Sequence, residues 1–379
     1  MSISACCRVC GQTLFSEQLL SYRNMPGAAQ GFLDADSVAK DTGADLDIFQ
    51  CSGCGLVQLA AEPVAYYREV IRAAGISPVL REDKCNQFSE FIGRHGLQGK
   101  KVIEVGCGRG EFLSILNEMP VEAYGIEFSE PSVAACVGNG LKVLRGYPEE
   151  GGGLLTGAPF DAFFLLMFLE HMPDPVASLR FIASQLTPEA VGLIEVPNFD
   201  MMVRNRLFSE FIADHLVYFS ADTLTRTLSM HGFDVMSLRE TRDGYVLSAE
   251  VRKRAPMDLS GFLGDQEKVT GQIRGFVSGF SKGKVAVWGA GHQALAILSM
   301  SGIADSIRYV VDSAPFKQGK FTPASHLPVV SPNTLKSEPV DAIIVMAGGY
   351  AWEVAEILQK DYGNSLAIAV LGEKGFTIL

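Results

Sequence analysis

The sequence lacks a surplus of basic charge, a long apolar run and a high density of cysteine, and each absence removes a class of protein. Lys and Arg number 32 against 43 Asp and Glu, for a net charge of −11. The broad basic face that a nucleic-acid binder turns toward phosphates is therefore not expected. The longest apolar run, Ala162 to Leu169, is far too short to cross a bilayer. The opening residues, MSISACCRVC, contain neither a basic segment leading into an apolar stretch nor a small-residue cleavage site. A soluble, cytoplasmic protein with no membrane and no nucleic-acid partner is the expectation. Eight cysteines in 379 residues are too few for a disulfide scaffold. Histidine is also scarce, six in all, so each one that reaches a cleft carries information.

Four of the eight cysteines form two C-x-x-C pairs, Cys7 with Cys10 and Cys51 with Cys54, each followed at once by a glycine (Gly11, Gly55). In a reducing compartment such pairs are metal ligands more often than disulfides. A tight turn that aims two thiolates at one ion is the local pattern of a zinc knuckle, and a closed four-cysteine site is structural. Cys6 could stand in for Cys7 only by stretching the first spacing to C-x-x-x-C. A redox pair would open a helix in a βαβ setting, which neither pair does. Residues 1–70 read as a small zinc-binding domain.

With 47% hydrophobic and 20% charged residues the rest of the chain can bury ordinary globular cores. Residues 71–262, with a helical lead-in over 71–98, alternate strand and helix. Strands are expected at 101–106, 121–127, 141–144, 160–168 and 191–196. A hairpin over 233–240 and 245–251 closes the set, turning at Thr241-Arg242-Asp243-Gly244. That pattern builds a mostly parallel, doubly wound sheet. Residues 263–379 begin with a helix and restart the pattern, predicting a second, Rossmann-like α/β domain. Its turn Gly289-Ala290-Gly291, with Asp312 ending the next strand, imitates a dinucleotide site, but Ala294 stands where the third glycine would be.

The first strand runs into Glu104-Val105-Gly106-Cys107-Gly108-Arg109-Gly110. Open α/β sheets bind ligands beyond the carboxyl ends of their strands. Gly106 and Gly108 let the backbone approach such a ligand closely. Glu127, ending the second strand, is placed to accept two ribose hydroxyls, and Glu104 to meet a cationic amino group. A nucleoside with an amino-acid arm suits that set.

Three segments, VIEVGCGRGEFL, YGIEFSE and DAFFLLMFLEHM, together resemble the class I S-adenosylmethionine-dependent methyltransferases. On that resemblance the cofactor-binding set is Glu104, Gly106, Gly108, Glu127, Phe128 and Met167. The order CRVCG, CSGCGLVQL, methyltransferase core, VWGAGHQALAIL and VVDSAPFKQGKFTPASHLPV resembles, over nearly the whole length, the three-domain sugar C-methyltransferases. The resemblance implies a class I methyltransferase sheet flanked by a zinc domain and a Rossmann-like domain. It also implies a small-molecule acceptor, a nucleotide-linked deoxy-keto sugar methylated at a ring carbon. The C-terminal glycine turn would then help hold the acceptor rather than a dinucleotide.

Carbon methylation beside a ketone needs a base for the α-proton and a group to hold the enolate. His171 follows the fourth strand and His215 the fifth. The family places a tyrosine, a glutamate and a basic histidine in the segment Phe208 to His215. Here the histidine is His215, the acid is Asp214 and the tyrosine position holds Ile212. The family's upstream tyrosine has only Tyr66 or Tyr67 as shifted counterparts, in the segment Tyr66 to Ser77. The expected catalytic set is His215 as base, with Asp214 and His171. N- or O-methylation of a related metabolite, and a zinc-dependent binding module without catalysis, are the alternatives.

Overall fold

Three strands and the first cysteine turns open the chain: β1 (Leu20–Met25), β2 (Ala44–Gln50) and β3 (Val57–Leu59). The computed structural model describes residues 6–70, 75–149, 153–373 and 375–379. Residues 71–74 of the expected lead-in, part of the Tyr66 to Ser77 segment, lie outside them. Contacts divide the chain into two units, one ending at Ala255 and one beginning at Pro256. The three strands do not close a core of their own, as expected for so short a segment. β3 pairs with a later strand, β9, and Leu46, Ile48, Val57 and Leu59 pack with Met202, Phe211 and Tyr218. Cys7, Val9, Cys51 and Leu56 belong to the same buried cluster as Phe219, Leu224 and Leu228. The cysteine segment is thus a layer of the first unit.

The body of that unit follows as α1 (Pro78–Arg94), β4 (Lys101–Val105), α2 (Glu111–Asn117), β5 (Glu122–Glu127), α3 (Glu130–Gly138), β6 (Val143–Arg145) and β7 (Phe160–Leu166). It continues through α4 (Pro175–Ser184), β8 (Leu186–Pro197), α5 (Phe199–Asn205), β9 (Val217–Tyr218), α6 (Ala221–Met230), β10 (Phe233–Thr241) and β11 (Val246–Lys253). Helix starts are written locally. Ser77 accepts from Leu80 N with Pro78 behind it, Asp174 accepts from Ala177 N, and Ser220, the expected cap of α6, forms a capping box with Thr223. The seven-stranded sheet has the order β10-β11-β8-β7-β4-β5-β6, parallel except for β11. Strand order in the sheet reverses between the parallel neighbours β4 and β7, which makes their carboxyl ends the switch point where a ligand belongs. The hairpin turn puts Arg242, Asp243 and Gly244 at positive φ, which suits the twist of the two strands. Buried Lys84 pairs with buried Glu195, whose Oε1 also accepts from Gln87 Nε2 at 2.6 Å, fixing α1 on β8.

The second unit comprises α7 (Ser260–Ser278), β12 (Val285–Trp288), α8 (His292–Ser301), β13 (Ile307–Val311), β14 (Val329–Val330), α9 (Thr334–Ser337), β15 (Ala342–Val345), α10 (Ala351–Tyr362), β16 (Ala367–Gly372) and β17 (Gly375–Ile378). Its sheet order, β14-β13-β12-β15-β16-β17, is Rossmann-like, with only β17 antiparallel. Among the described residues no helix is long and apolar enough to cross a membrane.

Candidate active site

β4 ends in a turn that only glycine can make. Gly106, Gly108 and Gly110 all sit at positive φ (74°, 55° and 87°), and a Cβ on Gly106 would fall 2.4 Å from the Phe168 ring. The chain can therefore pass under a ligand at this point without a side chain in the way. Glu127 lies beneath the turn: its Oε2 accepts from Gly108 N at 2.9 Å and its Oε1 from Ser129 N at 2.8 Å. Burial raises its pKa, opposed by the N–H groups of Ser129, Gly108 and Phe128. A carboxylate has four acceptor directions, so two remain for ribose hydroxyls.

A cavity of about 300 Å³ opens above the turn. Glu104, Gly106, Gly108 and Met167 line it, and so do His171, Asp214 and His215. These are seven of the nine cofactor and catalytic residues expected from sequence; Glu127 and Phe128 are not on its wall.

 Of the positions where the resembling family carries tyrosine, Ile212 lines the cavity, and the shifted candidate Tyr66 donates to Asp214. Phe128 instead joins Tyr147, Phe168 and Tyr67 in a chain of edge-on rings under the Arg68 guanidinium.

At the far end of the cleft the ends of β7 and the segment after α5 meet. Met167 takes a left-handed φ of 56°, rare for a side chain of its size, and the following 3-10 turn delivers Glu170 and His171. His171 Nδ1 lies 2.9 Å from the Asp214 carbonyl, which fixes the ring as an Nδ1–H donor, and its centroid is 4.7 Å from that of His215. Burial lowers the pKa of both rings; with the neighbouring His171 adding to it, His215 falls to about 3. Both imidazoles are neutral at pH 7. The Asp214 carboxylate is engaged by the N-terminal segment. It accepts from Tyr66 Oη at 2.5 Å and from Ala29 N at 2.7 Å, and Tyr66 Oη accepts from Gln30 N at 2.9 Å. Burial and the Asp214 contact push the Tyr66 phenol up to about 12. Asp214 therefore ties the N-terminal segment over the cleft, a role its sequence neighbours gave no sign of.

Glu170, beside His171, is absent from the set expected from sequence. It lines the cavity and is 2% exposed, and its Oε2 has no hydrogen-bond partner. Its position between an apolar strand and His171 was the available signal.

The four thiols converge as their spacing suggests. Cys7 Sγ lies 3.6 Å from Cys54 Sγ and Cys10 Sγ 3.4 Å from Cys51 Sγ, with all four sulfurs within 4.8 Å of one another. The two turns are copies: Gly11 N donates to Cys7 O and Gly55 N to Cys51 O, both glycines at positive φ. A tetrahedral ion with Zn–S bonds of about 2.3 Å needs sulfur–sulfur edges of roughly 3.8 Å, so the donor set fits zinc closely. Cys6 lies outside the cluster, exposed and bridged to Thr13.

In the second unit a cleft of about 710 Å³ is lined by Gly289, Gly291, His292, Asp312, Lys317 and Tyr350, among others. Asp312 accepts from Ala290 N and Ala314 N, both at 2.8 Å, and from Lys317 Nζ at 2.9 Å. His326 is not on the cleft wall.

Comparison with known proteins agrees with this geometry. Residues 80–238 match the model of a methyltransferase domain, and residues 255–368 that of a C-methyltransferase C-terminal domain. The chain is 26% identical over 391 residues to the C-methyltransferase NovU of Streptomyces niveus, covering 92% of this chain and 91% of that one. It is 31% identical over 142 residues to a ubiquinone biosynthesis O-methyltransferase of Idiomarina loihiensis, covering 34% of this chain and 54% of that one. With the glycine turn, the acidic residue under it and a sheet of this order in the matched segment, the chain is an S-adenosylmethionine-dependent methyltransferase.

Proposed function

We propose that the chain transfers the methyl group of S-adenosylmethionine to a ring carbon of a nucleotide-linked deoxy-keto sugar. The observation that carries this reading is the pair of neutral, buried histidines sharing one cleft with the cofactor turn. The likeness to NovU along almost the whole chain supports carbon as the acceptor. In the proposed cofactor site the Glu104–Gly110 turn meets the amino-acid arm and Glu127 the ribose. Met167, on the cavity wall, flanks the nucleoside, and Phe128 supports the site from the ring cluster beside it.

His215 is the proposed base. Its neutral ring takes the α-proton, the C–H pair becomes an enolate, and the enolate carbon attacks the methyl as the S–CH₃ bond breaks. S-adenosylhomocysteine leaves, and the proton passes from His215 to solvent. A low conjugate-acid pKa makes His215 a weak base, so the reaction depends on stabilising the enolate oxygen. Asp214 serves as the strap that holds Tyr66 and Ala29 over the site. Residues 1–70 are proposed as a structural zinc segment with Cys7, Cys10, Cys51 and Cys54 as ligands. Residues 71–262 would form the methyl-transferring part. Residues 263–379 would form a Rossmann-like part with its own Gly289–Asp312 cleft.

The local likeness to O-methyltransferases favours one alternative, methylation of an oxygen. The two differ in what they demand of the acceptor. On the proposed function, S-adenosylhomocysteine is released with nucleotide-linked keto sugars, and the alcohols made by reducing the same ketones are inert. Equal turnover of ketone and alcohol would contradict enolate chemistry.

A further inference from the structure

The enolate that the proposed reaction forms needs a partner; Arg242 and Glu170 both line the cavity, and no ion pair joins them among the described residues. We propose that Glu170 is a further catalytic residue: a carboxyl that stays protonated at neutral pH and donates a hydrogen bond to the ketone oxygen as it becomes an enolate. The inference rests on the carbon-methylation reading above and adds the acid to its base.

Placement comes first. Glu170 lies on the turn just past β7, at the switch point of the sheet, and lines the same cavity as Glu104, Gly106 and His215. A donor atom of Glu170, one of His171 and one of His215 all lie within 4.8 Å of one another. A ketone oxygen within reach of Glu170 therefore leaves its α-carbon within the neighbourhood of His215.

Protonation follows from what surrounds the group. The nearest nitrogen able to carry charge, His171 Nε2, is 4.0 Å from Oε1, beyond hydrogen-bond reach. His171 and His215 are held neutral by burial. The Asp214 carboxylate is taken up by Ala29 N and Tyr66 Oη. Tyr245, on the hairpin side, gives its hydroxyl to Glu210 at 2.7 Å. An ionised carboxylate in that setting would be a buried charge helped only by its own backbone N–H, and burial outweighs that bond, so the group keeps its proton. Burial accordingly lifts Glu170 to about 8. Two groups whose environments drive their pKa values apart divide the work of acid and base.

Atoms and electrons balance without a co-reactant. The α-proton goes to His215, and the carbon's electron pair goes to the new C–CH₃ bond. The proton of Glu170 is shared with the oxygen while it is charged and stays on the carboxyl when the ketone re-forms.

The test compares Glu170→Gln, whose amide still donates, with Glu170→Ala, which cannot. The reaction read is α-proton exchange into deuterated water on a nucleoside-diphosphate 4-keto-6-deoxyglucose, with S-adenosylhomocysteine bound in place of the donor. S-adenosylhomocysteine affinity, measured by calorimetry, checks that each variant is folded. Glu170→Gln is expected to keep exchange within about tenfold of the wild type, and Glu170→Ala to lose roughly 10²–10³-fold. An inert Glu170→Gln overturns the proposal, because it means the carboxylate itself is needed as a base or a metal ligand. Wild-type exchange in Glu170→Ala overturns it too. Infrared difference spectra of wild type against Glu170→Gln at pH 7 read the proton directly and need no acceptor. A protonated-carboxyl band lost in Glu170→Gln is expected, and its absence overturns the assignment. Should the wild type exchange no ketone at all, carbon methylation fails and the catalytic role falls with it, even where the infrared band is present.

Discussion

Gly106→Val is expected to abolish S-adenosylmethionine binding, leaving no calorimetric heat at concentrations that saturate the wild type. Two effects add. At φ 74° a β-branched residue pays the left-handed penalty of roughly 1–2 kcal/mol. Its Cβ would also stand 2.4–2.8 Å from three atoms of the Phe168 ring. That ring is itself held by Tyr147 at a centroid distance of 6.0 Å and is buried, so it cannot swing aside freely. Overpacking of this kind costs about 1–3 kcal/mol more, and relief by lifting the turn displaces Gly108 N from Glu127. A total of a few kcal/mol is on the order of 10²-fold or more in affinity. Gly138, at the end of α3, has open space where a Cβ would go, and Gly138→Ala is the matched control with affinity unchanged. Wild-type affinity in Gly106→Val would remove the turn from the cofactor site.

Cys51→Ser carries the second large effect. Zinc held by four thiolates contributes about 10–16 kcal/mol of apparent binding free energy in small zinc domains. Here the thiols share one buried cluster with Val9, Leu56, Phe219 and Leu224. Loss of an ion held there would therefore loosen the face of the sheet that α6 covers, as well as the first strands. Protein purified without added metal is expected to hold one zinc per chain by elemental analysis. Cys51→Ser should hold close to none and melt on the order of 10 °C lower or more. Cys6→Ser, outside the cluster, should match the wild type in both. A wild type without zinc, or a Cys51→Ser chain that melts with it, would contradict the structural role.

What the sequence disclosed and what it hid follow from range. The Gly106–Gly110 turn, the cysteine knuckles, the Ser220 cap and the hairpin turn at Arg242-Asp243-Gly244 are each built within a few residues, so their chemistry is visible in order. The strands at Lys101–Val105 and Phe160–Leu166 announce themselves by β-branched and aromatic runs. The pairing of β3 with β9, by contrast, joins Val57 to Tyr218, and no local pattern encodes it. The hold of Asp214 on Ala29 and Tyr66 is of the same kind: adjacency suggests a partner for His215, while the fold spends the carboxylate elsewhere. Glu127 was legible as the acid of the second strand, but not that two backbone N–H groups would seat it beneath the turn. Glu170 was hidden because a glutamate beside a histidine is unremarkable until its burial is known, and burial is a property of the sheet, not of the dipeptide.

The position of the transferred methyl is the direct measure of carbon methylation. With methyl-¹³C-labelled S-adenosylmethionine and a nucleotide-linked keto sugar, NMR of the product is expected to show the labelled methyl coupled to a ring carbon. A labelled methyl on oxygen or nitrogen would contradict it.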